Sequence, residues 1–376
     1  MIIRENLLLW IVVILFAFSS ATQLFYYIYF YLAVIQHKHA VRNSEKKPVS
    51  VIICARNEAN NLTTFLPAVL EQDYPDFEVI VVNDCSEDNS SDVLGEFLKR
   101  YPRLKVSILN RDIKFTHNKK FAQFIGIKAA TNDILLFTDA DCKPESDKWI
   151  ESMVSNFEED TDFVLGYGGF FSGRGILNKY IRYETMTIAL QYFGMTLRGF
   201  PYMGVGRNLA YRRSVFFKNN GFGSHNHVIS GDDDLFVNKN ANTQNTRVEL
   251  RNIAHTMSVP AVKWTEWFIR KQRHLTTSRY YKSGDKFRLI TEPASRIIFY
   301  TSFVILLSQL FLWQAVLTVF GIRLIVQSVI FVKGQKKFKE KDLTAYSLIF
   351  DIFSPVINCV VYMSNIIKGQ RKYRWK

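Results

Sequence analysis

The sequence is poor in the residues that build stapled or repetitive proteins. Its 376 residues hold 4 cysteines, Cys54, Cys85, Cys142 and Cys359, widely scattered and with no CxxC pair. A structural zinc site or a disulfide framework is therefore not expected, and reduced thiols suit a cytosolic setting. Only 9 prolines and 18 glycines are present, which excludes a collagen-like or low-complexity chain. No internal repeat is found. Acidic residues are the scarcer charge: 34 Asp and Glu stand against 48 Lys and Arg, a net charge of +14. That excess suits nucleic acid, an acidic membrane surface or a phosphate-bearing ligand, and composition alone does not choose among them.

What is abundant is apolar: 48% of residues are hydrophobic, which excludes a disordered chain. Leu7 to Ile35 contains no charged residue. It exceeds the roughly 20 residues a membrane span needs and is too long for a signal-peptide core. An uncleaved membrane anchor is expected over residues 1–36. His37, Lys38, His39, Arg42, Lys46 and Lys47 follow it, so the positive-inside rule predicts a cytoplasmic domain next. A second apolar run, Ile297 to Val332, carries one formal charge, Arg323. It predicts a hairpin of two short spans over 296–332. A third, over 345–367, is interrupted by Asp351, Pro355 and Asn358. Basic clusters flank it, KGQKKFKEK before and KGQRKYRWK after. Both cannot be cytoplasmic if every apolar run crosses once. The favoured expectation is a segment bent at Pro355 and re-entrant or interfacial; the other is that one basic end lies outside. With the basic residues gathered at membrane flanks, and no aromatic–basic strand motif, nucleic acid is not expected as a partner.

Residues 48–290 read as a globular domain. Short β-branched runs (VSVIICA, FEVIVVND, LKVSIL, DILLFTD) alternate with helix-like stretches (NNLTTFLPAVLEQ, SDVLGEFLKRY, KKFAQFIGIKAA). That alternation predicts an α/β fold with a parallel sheet. Ligands of such sheets bind beyond the carboxyl ends of the strands. Polar residues stand there: Ala55-Arg56-Asn57-Glu58, then Asp84, then Asp139-Ala140-Asp141.

Taken in order, VSVIICARNEANNL, EVIVVNDCSEDNS, NKKFAQFIGIKAATNDILLFTDADC, GVGRNLAYRRSVF, GDDDLF and WFIRKQRH resemble the membrane-associated inverting glycosyltransferases of family 2. The likeness covers roughly residues 48–280. It implies the GT-A nucleotide-sugar-binding, Rossmann-like fold, here with N-terminal and C-terminal transmembrane helices, and a nucleotide-sugar donor, UDP-linked by first expectation. The leaving diphosphate gains negative charge, which a divalent cation can stabilise. Asp139 and Asp141 match the family's DxD motif: Asp141 would reach Mg2+ or Mn2+, with Asp139 nearer the ribose or donor sugar. The resemblance also implies donor contacts from Ala55, Arg56 and Glu58, from Asp84 near base and ribose, and from Lys120, with Lys119 as the other possible register.

An inverting transfer needs a base for the acceptor hydroxyl. Asp232 stands at the family's base position, with Gly231 where the family has Glu, and Asp233 is the fallback. Where processive members carry QxxRW, this chain has Arg270-Lys271-Gln272-Arg273-His274. Arg273 can still bind diphosphate, but the aromatic floor for a growing sugar chain is gone. The initial Arg270 is similar to ceramide glucosyltransferases, which use a lipid acceptor. Trp264 and Trp267 would face the acceptor or anchor the helix at the membrane. The expectation is transfer of one sugar to a membrane-proximal lipid or saccharide. The alternatives are a processive polysaccharide synthase and a catalytically silent membrane scaffold, which would have lost the carboxylates.

Overall fold

The computed structural model describes residues 2–39, 45–111, 118–228 and 230–368. Arg42 and residues 369–376, parts of two basic clusters noted above, lie outside them. In chain order, α1 (Ile2–Phe25), a π-helical turn (Tyr26–Tyr31) and α2 (Leu32–Gln36) make one long helical run. β1 (Val49–Ala55), α3 (Ala59–Leu70), β2 (Phe77–Asp84), α4 (Ser90–Arg100) and β3 (Leu104–Leu109) follow, then α5 (Lys119–Ala129), β4 (Ile134–Asp139) and β5 (Cys142–Pro144). Next come α6 (Trp149–Val154), β6 (Phe163–Gly166), β7 (Gly168–Phe170), α7 (Ile176–Leu197), β8 (Leu209–Arg212) and α8 (Arg213–Lys218). The chain continues through α9 (Asp234–Asn240), β9 (Thr246–Glu249), β10 (Thr256–Ser258) and α10 (Trp264–Leu275). It ends in α11 (Ser283–Ser308), α12 (Trp313–Lys337) and α13 (Thr344–Lys368).

Seven strands form the main sheet in the order β3-β2-β1-β4-β8-β6-β9. β1, β2 and β4 are mostly apolar and buried along nearly their whole length because helices cover both faces. Ile52, Ile80, Val82, Leu135 and Phe137 face a core shared with α5 and α7. Val51, Ile53, Val79, Val81 and Leu136 face α3, α4 and α6 through Leu62, Leu66, Leu94 and Trp149. The sheet is not wholly parallel as expected: β8 runs antiparallel to both β4 and β6. The four residues Leu-Ala-Tyr-Arg do not encode strand direction, and β8 is inserted between two strands that are parallel to each other. A second, three-stranded sheet, β5-β10-β7, leaves the main one directly after Asp141.

Among the described residues, four helices are long and apolar enough to cross a membrane: Leu7–Gln36, Ser283–Ser308, Trp313–Lys337 and Thr344–Ile367. The hairpin expected over 296–332 is longer than its apolar run, because α11 opens with the polar turn Ser283–Lys286. It therefore overlaps the end of the domain expected over 48–290. α13 is one continuous helix with Pro355 inside it, without a break there. Both ends of α13 meet the α/β domain. The Lys179 ammonium sits 3.9 Å over the Tyr346 ring near its start. Near its end, Gln272 donates to Ser364 Oγ at 2.7 Å and Asn365 donates to the Gln272 carbonyl at 2.9 Å.

These helices share a core with the domain. On α7, Tyr183 packs against Phe331 at 5.8 Å and Phe350 at 5.3 Å. α7 also crosses the π turn closely enough that a Cβ on Gly194 would lie 2.5 Å from the Phe30 carbonyl oxygen, so only glycine fits. The charges that interrupt the apolar runs are paired inside the bundle. Arg323 donates to Asp351 at 2.6 Å, while Arg296 bonds Glu292 at 2.8 Å and Asp351 at 3.2 Å. Two cations and two anions cancel there, as burial away from water demands.

Candidate functional site

Register places the polar strand ends side by side. Ala55 pairs with Asn83, next to Asp84, and Cys54 pairs with Asp139. The β1–β4 junction is where strand order reverses, the usual crevice for a ligand in a doubly wound sheet. Buried Asp84 lies 3.9 Å from the Arg56 guanidinium. Glu58 turns back to the start of α3, accepting from the Asn61 amide. Ala55 is buried and offers only backbone.

The cleft itself is lined by Cys54, Lys119, Gln123, Thr138, Asp139, Gly206 and Asp232, among others. Asn118 caps α5 by accepting from the Phe121 amide, and the helix then throws Lys119 into the cleft. Its ammonium donates to Asp139 at 2.6 Å and lies 3.6 Å from Asp232. Burial works against that charge, but Asp139, Asp232 and Asp233 outweigh it and hold Lys119 well above the usual lysine range. For Asp139 the same contest runs in reverse. Burial pulls its pKa up, yet Lys119, Arg207 and Arg273 hold it below the usual carboxylate range.

Lys120 is not the lysine that lines the cleft. Neighbouring residues on a helix point about 100° apart, and Lys120 is buried, donating to the carbonyls of His225 and Val228 at 2.8 Å each. Burial lowers its pKa to about 8. It holds the turn that precedes the three aspartates.

Those aspartates are not equivalent. Gly231 introduces them with φ +96°, and a Cβ there would lie 2.5 Å from Leu235 Cδ1. This accounts for glycine where the resemblance expects Glu. Asp233 has both oxygens taken by backbone amides, Gly206 at 2.7 Å and Asp234 at 2.8 Å. Burial, then Asp232 and Asp234, raise its pKa to about 7. Asp234 accepts from Thr277 and from the Tyr281 hydroxyl at 2.7 Å, which ties α9 to the α10–α11 connection. Asp232 is buried and lines the cleft, and its Oδ2 accepts no hydrogen bond among the described residues.

Asp139, Asp141 and Cys142 bring their ligand-type atoms within 4.8 Å of one another. Ser258 steadies Asp141 with a 3.1 Å hydrogen bond. Burial keeps Cys142 a thiol, so the set offers carboxylate oxygens, the donors that suit Mg2+ or Mn2+ rather than zinc.

Arg273 is half-buried on α10 and contributes to the field at Asp139. Arg270, one turn earlier, forms no hydrogen bond or ion pair among the described residues. Trp267 is buried and its indole donates to Glu184 at 3.2 Å, while Trp264 stays 46% exposed. The sequence reading ranked one residue of the site second and passed over another near Asp139. Lys119 was the second choice of register, and Arg207, stacked 4.1 Å over Phe170, stood unremarked inside GVGRNLAYRRSVF.

Known proteins resemble this chain in sequence and in fold. Residues 50–218 match the family model for glycosyl transferase family 2. Glycosyltransferase AglE of Haloferax volcanii is 31% identical over 189 residues, covering 49% of this chain and 58% of its own. The probable glycosyltransferase YdaM of Bacillus subtilis is 28% identical over 183 residues, covering 47% of this chain and 43% of its own. The chain thus spans about half the length of the curated relatives it matches. Mannosyltransferase PcManGT from Pyrobaculum calidifontis, solved with GDP-Man and Mn2+, has the same fold. It superposes with TM-score 0.61 at 17% identity, over 92% of this chain and 99% of that one. Residues 50–218 are thus a glycosyl transferase family 2 domain, in a chain that has the GT-A fold and candidate membrane-spanning helices on both sides of it.

Proposed function

We propose that the protein is an inverting glycosyltransferase that moves one sugar from a nucleotide-sugar, UDP-linked by first expectation, to a lipid or lipid-linked saccharide at the membrane surface. The observation that carries this reading is the single cleft where Asp139 and Asp232 meet across Lys119, with Asp141 two residues beyond Asp139. In this reading Asp139 and Asp141 hold the Mg2+ or Mn2+ implied by the family, which when bound supplies positive charge for the diphosphate. Arg273 and Arg207 add charge from the far side of Asp139, and guanidinium groups suit phosphate oxygens. Arg56 and Asp84 lie at the next strand ends, where base and ribose are expected.

Asp232 is the proposed base. Its Oδ2 is near the Lys119 ammonium but accepts no hydrogen bond among the described residues, leaving lone pairs for the acceptor hydroxyl, whereas Asp233 and Asp234 have theirs engaged. As the proton passes to Asp232, the acceptor oxygen attacks the anomeric carbon, the bond to the diphosphate breaks and the nucleoside diphosphate leaves with the electron pair. Inversion follows from attack opposite the leaving group. Trp267, locked against Glu184, supports the single-transfer reading, because it is packed into the domain and not laid open as a sugar platform.

The same reading places the domain in the cytoplasm. α13 touches the domain at both ends, which suits an interfacial helix, and the basic residues beside the apolar helices suit a cytoplasmic face. The test is transfer by the purified full chain, in lipid, from a panel of UDP- and GDP-sugars with Mg2+ or Mn2+. Single-sugar glycolipid product is expected. Long polymer, or no turnover of any donor, overturns the reading.

A further inference from the structure

A second cavity, of about 430 Å3, lies at the domain-side ends of the apolar helices and shares no lining residue with the cleft. Ile35 and Leu250 form its apolar wall, and Lys333, Lys336 and Lys337 come from the last turns of α12. Arg251, just beyond β9, closes it on the domain side. Its volume falls in the range of small-molecule sites, roughly 300–1,000 Å3.

The charge here is not cancelled. Glu249, fully buried beside the cavity, is already engaged by Arg251 at 2.6 Å, while His39 Nε2 accepts from the Leu250 amide. Lys337 is half-buried and donates to the His37 carbonyl at 3.1 Å, using one of its three protons on the end of the preceding helix. Lys333 and Lys336 are exposed and form no ion pair among the described residues. Three ammonium groups therefore line one cavity, with Ile35 and Leu250 opposite them beside Arg251, His39 and Asn252. Helix carboxyl ends favour cations by their dipoles, but that accounts for lysines on the helix, not for a cavity between them and Ile35. The two candidate spans end at Gln36 and Lys337, so the cavity opens where hydrocarbon gives way to headgroups.

We propose that this cavity binds the phosphate headgroup of an anionic phospholipid, with Lys333, Lys336 and Lys337 as donors and Ile35 against the start of its acyl chains. The mixed wall is what separates a lipid from a free phosphate ion: half-buried Ile35 gives acyl carbons a surface that phosphate alone does not use. A seated lipid would bridge the first membrane helix, α12 and the edge strand β9, fixing the domain's attitude to the membrane. The proposal rests on the helices as membrane segments and not on the sugar-transfer chemistry.

Native mass spectrometry of the full chain, taken from nanodiscs of phosphatidylglycerol mixed with phosphatidylcholine, tests it. Wild type is expected to retain phosphatidylglycerol selectively, and Lys333→Gln/Lys336→Gln to lose that retention roughly tenfold or more, at about 1 kcal/mol per basic residue near the surface. Lys333→Arg/Lys336→Arg should keep it, and Asp232→Asn should keep it too, separating this site from the catalytic one. Equal retention of both lipids, or undiminished retention in a folded double Gln variant, overturns the proposal. Displacement of the lipid by millimolar inorganic phosphate, with the same lysine dependence, overturns the lipid assignment in favour of a soluble phosphate.

Discussion

Lys119 stands between the two carboxylates that matter most, 2.6 Å from Asp139 and 3.6 Å from Asp232. It offsets part of the carboxylate charge of the cleft, and under the proposed function it competes with the metal for Asp139. Lys119→Met should therefore tighten metal binding in the absence of donor, by about fivefold for an interaction near 1 kcal/mol. Transfer should fall at the same time, since Asp232 loses its counter-charge. Titration calorimetry with Mn2+ reads the first effect and a transfer assay the second. Weaker metal binding in the variant would show that Lys119 orders the site instead of competing for it.

Asp232→Asn should lower transfer by about 10²–10⁴-fold, the usual worth of a general base, and leave donor binding nearly intact. Asp233→Asn should chiefly disturb the Gly206 loop and the start of α9, because both of its oxygens hold backbone amides. Single-turnover transfer and donor calorimetry on the two variants separate the roles. An active Asp232→Asn beside an inactive but folded Asp233→Asn reverses them.

Much of this was legible in the chain. The run FEVIVVND is β2 to the residue, and SDVLGEFLKRY contains all of α4 but its first serine, because an apolar strand and an amphipathic helix are written in local period. The strand-end aspartates could be found for the same reason. What could not be read depends on distant contacts. Lys119 and Lys120 are indistinguishable until α5 is docked and one of them turns to the cleft. Asp232, Asp233 and Asp234 differ only through Gly206, Thr277 and Tyr281, none of them a sequence neighbour. Arg323 and Asp351 each looked like an interruption of an apolar run; together they are a 2.6 Å ion pair.

Tyr281→Phe removes one hydrogen bond from buried Asp234 while keeping the ring. Because that carboxylate has little water to turn to, the loss should cost about 1–3 kcal/mol and loosen the joint between α9 and the membrane-proximal helices. A lowered thermal midpoint in detergent is the expected reading. An unchanged midpoint would mean that Thr277 alone satisfies Asp234.

Lys120 gives a pH signature. Burial lowers its pKa to about 8, so between pH 8 and its ordinary value near 10.4 the unfolded chain binds more protons than the folded one. Stability linked to this group therefore rises with pH across that window, and below pH 8 the folded state bears the full cost of the buried charge. The difference in unfolding free energy between wild type and Lys120→Met, followed from pH 7.5 to 10, should shift in favour of wild type as pH rises. A flat difference would place the Lys120 ammonium in contact with solvent.

Arg323 and Asp351 offer a test of what holds the apolar helices together. Arg323 also donates to Gln327, Gln23 and the Tyr300 hydroxyl, so it links α1, α11, α12 and α13 at one point. Removing one member of a buried pair strands the other charge, at a cost of about 3–5 kcal/mol. Arg323→Leu and Asp351→Leu alone should each lower the thermal midpoint strongly. The double variant should be more stable than the sum of the two losses predicts, because no unpaired charge remains between these two positions. The recovery will be partial: Arg296 also relies on Asp351, at 3.2 Å, and keeps only Glu292 as its carboxylate partner. Adding Arg296→Met and Glu292→Met should restore more. If the double variant loses the full sum, the two residues act separately and the cluster is not a single joint.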